Sequence, residues 1–367
     1  FPLYTKWYKD TDPILREDID FVLEETARFY KEASYGQIEL KFDVFGPVNL
    51  PARSGCLGLD PKFGPDVWKA AGVSGYSRFV YVYNDMKVSC LSRGTIGREV
   101  WRSSAFIVSS NLRWGSSAEH RKRSGISVIA HELGHNLGGL WHANFLDCGD
   151  TSIKYNTLDC FSIEYWDVYD PMDNRLSSLF DFNSPHKETL GWLSTNNIKE
   201  VAFSGIYKLD PLEFPSSGIQ VLKIPISLNH GKDWYYIEYR ENIKGILFHF
   251  KGFRDGGDTQ LIDADLSSSA WWAVYLGTTY IDPVGKFSIT TLKADSTGAV
   301  IAIEFPGQPL KEFIRGDADE SGVVDISDAI FILHWLFLGE QGPECEDRAD
   351  ANDDGQVDIS DPVSILL

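Results

Sequence analysis

"HELGHNLGGLWHAN", residues 131–144, holds three histidines at the spacing of a metal site. His131 and His135 are four residues apart, so on a helix their imidazoles project from one face and can bind one ion. The glycine pair at 138–139 ends that helix and lets the chain turn back, which brings His142 to the same ion. Three protein ligands leave a fourth position for water, as in catalytic zinc sites. The stretch therefore predicts one zinc ion bound by a helix and the turn after it.

Glu132, between the two helical histidines, is the predicted general base. A carboxylate at this position lies close enough to water on the metal to take its proton and to pass it to a leaving group. The sequence contains no Gly-x-Ser-x-Gly motif, so it does not indicate a serine nucleophile. The predicted chemistry is hydrolysis by direct attack of water.

Hydrophobic periodicity around this motif predicts a mixed sheet that packs on helices. Apolar residues at three- and four-residue intervals predict a helix over 14–34, and a second long helix is expected over about 118–138. Alternation of apolar and polar residues predicts strands at 37–44, 78–84 and 104–110.

The pattern of apolar residues changes after residue 196. From 197 to 306, short apolar runs alternate with turns, which predicts an all-β sandwich of seven or eight strands. The pair Trp271-Trp272 in this region is compatible with a carbohydrate-binding platform, but paired tryptophans in a strand are more often divided between core and interface.

Charge separates the C-terminal segment from the rest. The chain has a net charge of −19, which argues against nucleic acid as a partner because a phosphate-binding surface needs an excess of Lys and Arg. Residues 316–367 hold fourteen acidic residues and one Arg, a net charge of −13. Such a segment repels itself unless cations bind to it, so calcium is expected. The sequence contains no run of eighteen apolar residues, and no transmembrane segment is predicted.

The acidic segment contains an internal repeat. "DADESGVVDISD" (317–328) and "DANDDGQVDISD" (350–361) align position for position at an offset of 33, and both match a calcium-binding loop with Gly at position six. The predicted ligands of the first calcium ion are Asp317, Asp319, Ser321, the carbonyl of Val323, Asp325 and Asp328. Those of the second are Asp350, Asn352, Asp354, the carbonyl of Gln356, Asp358 and Asp361. The apolar segment 329–338 is expected to form a helix that needs a partner.

The two repeats resemble the dockerin family, whose duplicated loop-and-helix units bind calcium and fold against each other. The resemblance covers about 314–367. It implies a small α-helical module with two EF-hand-like loops, in which Ile326-Ser327 and Ile359-Ser360 occupy the paired positions that contact a cohesin partner.

Most of residues 14–306 resemble the metzincin zinc peptidases, in particular the gametolysin-like group. The zinc motif carries this resemblance together with "FYKEASYGQIELKFDVFGPVNLP" (29–51), "FNSPHKETLGWLS" (182–194), "YYIEYR" and "TQLIDAD". It implies that His131, His135 and His142 bind zinc and that Glu132 is the general base and acid. It also implies that Met172, in the turn "EYWDVYDPMDN", lies beneath the zinc, and that the product of the gene is a secreted precursor.

Two departures from the metzincin pattern concern the zinc site. The family usually has five residues between the second and third histidines, whereas six stand here, with Gly139 as the insertion. Asp147 or Glu164 is therefore an alternative third ligand, the latter as in thermolysin-like enzymes, although those enzymes continue the helix where this chain has two glycines. Some metzincins also keep a Tyr two residues after the methionine. Asn174 stands at that position, so stabilisation of the tetrahedral intermediate is expected to fall mainly to zinc, with assistance from Tyr169 or from another residue that the sequence does not select.

The cysteines favour an oxidising compartment. None of the five forms a two-residue-gap pair typical of zinc ribbons or redox motifs. Sequence proximity predicts disulfides Cys148–Cys160 and Cys56–Cys90, with Cys345 free or paired elsewhere. The alternative is five buried thiols in a cytosolic protein.

These patterns together predict a multidomain protein. A metzincin-like α/β zinc peptidase domain is expected over 1–196, a β-sandwich over 197–312 and a dockerin over 313–367. The predicted function is that of a secreted or cell-surface zinc endopeptidase, which acts on a protein or peptide and is attached through its dockerin to a cohesin-type partner. The alternatives are an inactive protease-fold scaffold or adhesion protein attached in the same way, and a zinc hydrolase that acts on another bond.

Overall fold

The chain forms two compact units in a computed structural model. The structure describes residues 2–5, 16–46, 48, 63–74, 78–83, 93–94, 103–108, 118–173, 180–226, 233–251, 259–266, 272–308, 313–343 and 345–367. The first unit consists of residues 1–202 and 207–301, and the second of residues 203–206 and 302–367.

Helices occur in both units. In the described part of the chain they are α1 (Arg16–Ala33), α2 (Phe63–Ala71), α3 (Ala118–Gly138), α4 (Ser184–Leu190), α5 (Ile326–Leu338), α6 (Glu346–Ala349) and α7 (Ser360–Leu366). The helices predicted over 14–34 and 118–138 are confirmed as α1 and α3. Along α1 the apolar residues recur every three or four positions and are buried, as an amphipathic helix on a core requires.

The first sheet packs beside these helices. It contains four strands in the order β1-β2-β4-β3, namely β1 (Pro2–Thr5), β2 (Arg78–Tyr83), β3 (Arg93–Gly94) and β4 (Ser103–Val108). The first three in that order run parallel, and β3 pairs antiparallel with β4. β2 and β4 confirm the strands predicted at 78–84 and 104–110 for the residues that the structure describes.

The strand predicted at 37–44 is wrong. These residues form no ladder with any strand in the described ranges. Their alternation is nevertheless visible in the burial, because Ile38, Leu40, Phe42 and Val44 are partly buried against the first core while their neighbours are exposed. A period of two shows which side chains face the core, but it does not supply a neighbouring strand with which to pair.

The first core lies between α1 and α3. It contains buried apolar residues of both helices, of β2 and β4, and of the segment that follows α3, including Tyr30, Ile129, Leu133, Met172 and Trp192. Tyr30 links the two helices directly, because its hydroxyl donates to the carbonyl oxygen of Ala130 at 2.7 Å. The helix with the metal motif is thus held on its inner side by a continuous core.

The second sheet has seven strands in the order β6-β5-β12-β11-β10-β9-β7. These strands are β5 (Ala143–Asp147), β6 (Phe161–Ile163), β7 (Ile198–Glu200), β9 (Val221–Ile226), β10 (Asp233–Arg240), β11 (Gly245–Lys251) and β12 (Thr259–Ile262). β5 directly follows His142 and pairs parallel with β12. The sheet therefore joins strands from both sides of residue 196, where the sequence predicted a boundary between two domains.

A third sheet has four strands in the order β13-β14-β15-β8. They are β8 (Gly205–Leu209), β13 (Thr279–Ile281), β14 (Ser288–Asp295) and β15 (Gly298–Glu304). Most apolar runs between 197 and 306 thus form strands. In the run 271–276, the described residues contribute only an isolated bridge from Val274 to Ile246.

The C-terminal repeats form a small helical body in the second unit. The predicted apolar helix after the first loop is confirmed as α5. It packs against α7, and a small core forms around the buried Ala318, Ile332 and Ala349. The two repeats thus supply each other with the partner that the apolar helix needs.

Cys148 and Cys160 form a disulfide, as predicted. The predicted pair Cys56–Cys90 lies outside the described residues. Cys345 is partly exposed and forms no disulfide with a described cysteine. Within the described ranges, no helix is long and apolar enough to cross a membrane.

Candidate metal centre

The turn after α3 accommodates the additional glycine of the histidine motif. His131 and His135 lie one turn apart on α3, which ends at Gly138. Gly139 then takes the left-handed conformation with φ +63°, and its N–H donates to the carbonyl oxygen of His135 at 3.2 Å. This is the usual way in which a glycine ends a helix. One left-handed residue thus reverses the chain, and three residues later His142 faces the helix.

The three histidines come together. One ring nitrogen from each of His131, His135 and His142 lies within 4.8 Å of the others, so the triad could hold a metal ion. Their ring centroids are 4.9 to 5.6 Å apart. Neither Asp147 nor Glu164, the alternative third ligands, belongs to this group.

Each histidine is held by an oxygen acceptor at Nδ1. The three pairs are His131 with the Pro171 carbonyl at 3.0 Å, His135 with the Leu140 carbonyl at 2.6 Å and His142 with Glu164 Oε1 at 2.6 Å. A carbonyl oxygen has no proton to give, so Nδ1 carries the proton and the lone pair of the neutral ring lies on Nε2. In metal-binding histidines, a hydrogen bond from the ring nitrogen that does not bind the metal fixes the tautomer and the orientation of the ring. The donor set therefore fits a metal ion at the three Nε2 atoms.

Electrostatics favour the neutral form of the helical ligands. Burial, with a further contribution from the neighbouring histidines, lowers the pKa of His131 to about 3. Burial also lowers the pKa of His135 to about 4, although its hydrogen bond to the Leu140 carbonyl opposes this. A metal must compete with protons for its ligands. At neutral pH this competition is absent at both histidines.

Met172 packs against the metal-binding helix between its two ligands. The side chain is fully buried, and a Cβ atom at Gly134 would clash with its Sδ. Ala143, directly after His142, donates its N–H to the Met172 carbonyl at 3.1 Å. Met172 thus lies in the turn that the sequence predicted, in contact with the helix and with the residue that follows the third ligand.

Other polar residues near the triad differ in their placement. Glu132 follows His131 on α3 and is 4% exposed. Tyr169, the candidate from the sequence, is buried, and its ring centroid lies 5.5 Å from that of Phe180. Tyr165 lies closer to the site, because its ring centroid is 3.9 Å from that of His142. The sequence carried no signal for Tyr165, which has a left-handed backbone with φ +65°.

The first acidic loop is preformed for a cation. Carboxylate oxygens of Asp317, Asp319 and Asp328 lie within 4.8 Å of one another and could bind a second metal ion. The N–H of Asp319 donates to one oxygen of Asp328 at 3.0 Å, and that of Asp325 donates to the other at 2.8 Å. Gly322 has φ +88°, and its N–H donates to Asp317 at 3.1 Å. The sharp turn thus requires the glycine at position six.

The second loop repeats this geometry thirty-three residues later. Asn352 and Asp358 donate their N–H groups to the two oxygens of Asp361 at 3.3 and 2.8 Å. Gly355 has φ +82° and donates to Asp350 at 3.0 Å. Because each of these hydrogen bonds has its counterpart in the first loop, the duplicated sequence produces a duplicated loop conformation.

The remaining predicted ligands form hydrogen bonds within their own loops or with the start of the following helix. Asp325 and Asp358 accept the N–H of Ser327 and Ser360, both at 2.7 Å, at the start of the following helices. Ser321 Oγ donates to Asp317 at 3.3 Å and to the Val323 carbonyl at 3.1 Å, and Asp354 accepts the N–H of Gln356 at 2.9 Å. Asp325 and Asp358 stand at loop position nine, which often binds calcium through a water molecule. Their bonds to the backbone of the following helix are consistent with that arrangement.

Arginines contact the first aspartate of each loop, a feature that the sequence analysis missed. Arg348 Nη1 lies 3.0 Å from Asp317 Oδ2, and both side chains are buried. Arg315 lies 3.6 Å from Asp350 Oδ2 in the same relation. The signal was present in the repeat, since the two arginines are also thirty-three residues apart.

No protein-family model, curated protein or solved structure matches the chain.

Proposed function

We propose that the chain is a secreted zinc endopeptidase of the gametolysin-like metzincin type with a C-terminal dockerin. The observation that carries this proposal is the triad of His131, His135 and His142, in which an oxygen acceptor holds every Nδ1. The disulfide Cys148–Cys160 supports an extracellular location, because such bonds persist in oxidising compartments.

Zinc is the metal that best suits this donor set. Neutral imidazoles are favourable ligands for zinc, and three of them with an open fourth position are the arrangement of catalytic rather than structural zinc sites. When bound there, zinc would supply Lewis acidity that polarises a water molecule and the carbonyl group of the substrate.

Glu132 moves the proton in the proposed reaction. Its carboxylate takes a proton from water as the water oxygen bonds to the peptide carbonyl carbon. The same carboxyl group then gives that proton to the amide nitrogen, so the carbon–nitrogen bond breaks and a neutral amine leaves. The low exposure of Glu132 supports this role, since a water-poor environment strengthens the interactions on which proton transfer depends.

Calcium is the proposed ion of the two acidic loops. Hard oxygen donors around a sharp glycine turn are the ligands that calcium prefers. The paired residues Ile326 and Ile359 are 64% and 57% exposed, as the proposed contact with a cohesin-type partner requires. The peptidase would thus act where its partner holds it.

Replacement of Glu132 by Gln tests the proposal. We expect the Glu132→Gln protein to bind one zinc ion as the parent does, while hydrolysis of casein falls about 100- to 10,000-fold. Glu24→Gln, on the exposed side of α1, is the matched control and should keep both properties.

Two results would contradict the proposed function. An active Glu132→Gln protein would exclude Glu132 as the base. A parent protein that binds zinc at the triad but hydrolyses no peptide bond, with or without a chelator, would favour the inactive scaffold or a hydrolase for another bond.

A further inference from the structure

Two buried aspartates shape the turn that carries Met172. Asp167 and Asp170 are 0% and 2% exposed. Asp167 Oδ1 accepts the N–H of Tyr169 at 3.1 Å, and Asp170 Oδ1 accepts the N–H of Met172 at 2.7 Å. An aspartate that binds the backbone two residues later fixes a turn. Two such bonds in succession fix the backbone from Asp167 to Met172.

The second oxygen of each aspartate reaches a distant segment. Asp167 Oδ2 accepts from His249 Nε2 at 2.9 Å and from Asn183 Nδ2 at 3.0 Å. Asp170 Oδ2 accepts the backbone N–H of Asn183 at 2.6 Å and lies 2.9 Å from His186 Nδ1. The turn is therefore fastened to the start of α4 and to the central strand β11.

The contact with β11 is a buried ion pair within a larger network. His249 Nδ1 lies 3.5 Å from Glu238 Oε2, and Glu238 Oε1 lies 2.6 Å from Arg240 Nε. Burial opposes protonation, but Glu238 and Asp167 outweigh it and raise the pKa of His249 to about 10. Since loss of one partner leaves the other charge buried and unpaired, such a network is costly to break.

The turn touches the metal centre at three points. The Pro171 carbonyl accepts from His131 Nδ1, and Met172 packs on Gly134 between the two helical ligands. The Met172 carbonyl also accepts the N–H of Ala143, next to His142. A shift of this turn would therefore tilt one ligand ring and displace the chain on both sides of the triad.

We propose that Asp167 and Asp170 are positioning residues of the metal centre. They hold the Pro171 carbonyl and Met172 in the place that orients His131, and β11 and α4 hold them in turn through His249, Asn183 and His186. This inference rests on zinc binding at the triad, which is part of the proposed function. It makes the second sheet a part of the scaffold of the metal centre.

A purely stabilising network would also be buried and charged, so the test must separate metal binding from stability. Asp282 provides the matched control. It is equally buried, caps its own turn by accepting the N–H of Val284 at 3.0 Å, and accepts the hydroxyls of Tyr235 and Tyr280 at 2.6 and 3.0 Å. It follows β13 in the third sheet.

The experiment compares Asp170→Asn with Asp282→Asn in the full chain. Zinc affinity is measured by competition with a chromogenic chelator, and the cobalt-substituted protein reports the geometry of the site through its visible absorption. In Asp170→Asn an amide group faces the N–H of Asn183, so the turn should shift. We expect zinc affinity to fall about 10- to 100-fold and the cobalt bands to move, as when an outer partner of a ligand is lost.

Asp282→Asn should keep the zinc affinity and the cobalt spectrum of the parent, even if its melting temperature falls by as much as that of Asp170→Asn. Unchanged affinity and an unchanged cobalt spectrum in Asp170→Asn would overturn the proposal. A parent protein that does not bind zinc through the triad would overturn both this inference and the proposed function. If the parent binds zinc but hydrolyses no peptide, only the function fails, and the affinity comparison still decides the positioning role.

A second pair of variants decides the case if Asp170→Asn does not fold. His186→Asn keeps an N–H donor near the position of Nδ1, whereas His186→Leu removes it. We expect the Asn variant to keep most of the zinc affinity and the Leu variant to lose it. Equal affinities in the two variants would overturn the proposal.

Discussion

Glu164 contacts the histidine triad without belonging to it. Its side chain is 61% exposed, and its Oε1 lies 2.6 Å from His142 Nδ1. An exposed pair of this kind contributes little to the free energy of unfolding. It does fix the tautomer and the orientation of the imidazole, and both matter to a bound metal. Glu164, an alternative third ligand in the sequence analysis, is therefore better described as the hydrogen-bond partner that orients His142.

Glu164→Ala should weaken zinc binding without unfolding the protein. We expect zinc affinity to fall about 10- to 100-fold, because His142 loses the acceptor that orients it. Chelator competition measures this change, and thermal unfolding of the metal-free protein should differ little from that of the parent. Glu200→Ala, an exposed carboxylate on β7, serves as the control. Equal zinc affinities in the two variants would show that His142 needs no partner.

The grouping of the three histidines could be predicted from the sequence, but most of their hydrogen-bond partners could not. The three histidines can be recognised in the sequence by their residue type and their spacing. The acceptors for His131 and His135 are the carbonyls of Pro171 and Leu140, and every residue has such a group. Their role depends only on where the fold places them.

Among the secondary-structure elements, the helices were the easiest to predict. α1 and α3 are long, α1 is also periodic, and local sequence is sufficient to define a helix, because its hydrogen bonds are internal. The strand predicted at 37–44 failed because a ladder needs a partner strand that local sequence does not contain. The short strands β3 and β6 were missed for the related reason that two or three residues carry too little pattern.

β11 also has a role that its sequence concealed. "GILFHF" indicates a buried strand, and its single histidine carries no spacing that indicates an ion pair. His249 is fully buried on this strand and lies between Asp167 and Glu238. The ion pairs of His249 depend on the fold, because the fold brings Asp167, which follows Trp166, next to the strands β10 and β11.

The charge on His249 predicts a pH dependence of stability. Its pKa is raised from an ordinary value near 6.5 to about 10 in the folded chain. A raised pKa contributes stability that is fully present below the unfolded value and is lost as the pH rises through the folded value. The stability difference between the parent and His249→Gln should therefore be largest below about pH 6.5 and should shrink towards about pH 10.

Urea unfolding of both proteins across this range measures the difference. Lys187 and Asp181, which form another buried ion pair, are present in both proteins, so their titration cancels to first order. A difference between parent and variant that stays constant from about pH 6 to about pH 10 would show that His249 is not charged in the folded chain.

For the whole molecule, the structure links segments that the sequence assigned to separate domains. The pattern of the sequence changes at residue 197 because the described elements from residue 198 to residue 304 are strands that follow one another, and the sequence analysis placed a domain boundary at this change. Here the seven-stranded sheet continues across that point, since β12 pairs with β5 directly after His142. The network on Asp167 crosses the same point in the sequence, through His249 and Glu238.

Truncation tests this organisation. A chain of residues 1–196 lacks five of the seven strands of the second sheet and His249, the partner of Asp167 on β11, so we expect it to lack fixed tertiary structure and to bind no zinc at the triad. A chain of residues 1–312 keeps all three sheets and lacks both acidic loops. It should bind zinc and hydrolyse casein like the full chain, and calcium should no longer raise its melting temperature.

The two truncations separate two possible organisations of the molecule. If residues 1–196 alone bind zinc as tightly as the full chain, the strands after residue 196 are an accessory and the contact of Asp167 with His249 does not position the metal centre. If residues 1–312 lose zinc, the acidic loops contribute to the first unit as well. Near-ultraviolet circular dichroism and zinc competition on both chains distinguish these outcomes from the expected one, in which the peptidase activity requires the strands after residue 196 but not the calcium loops.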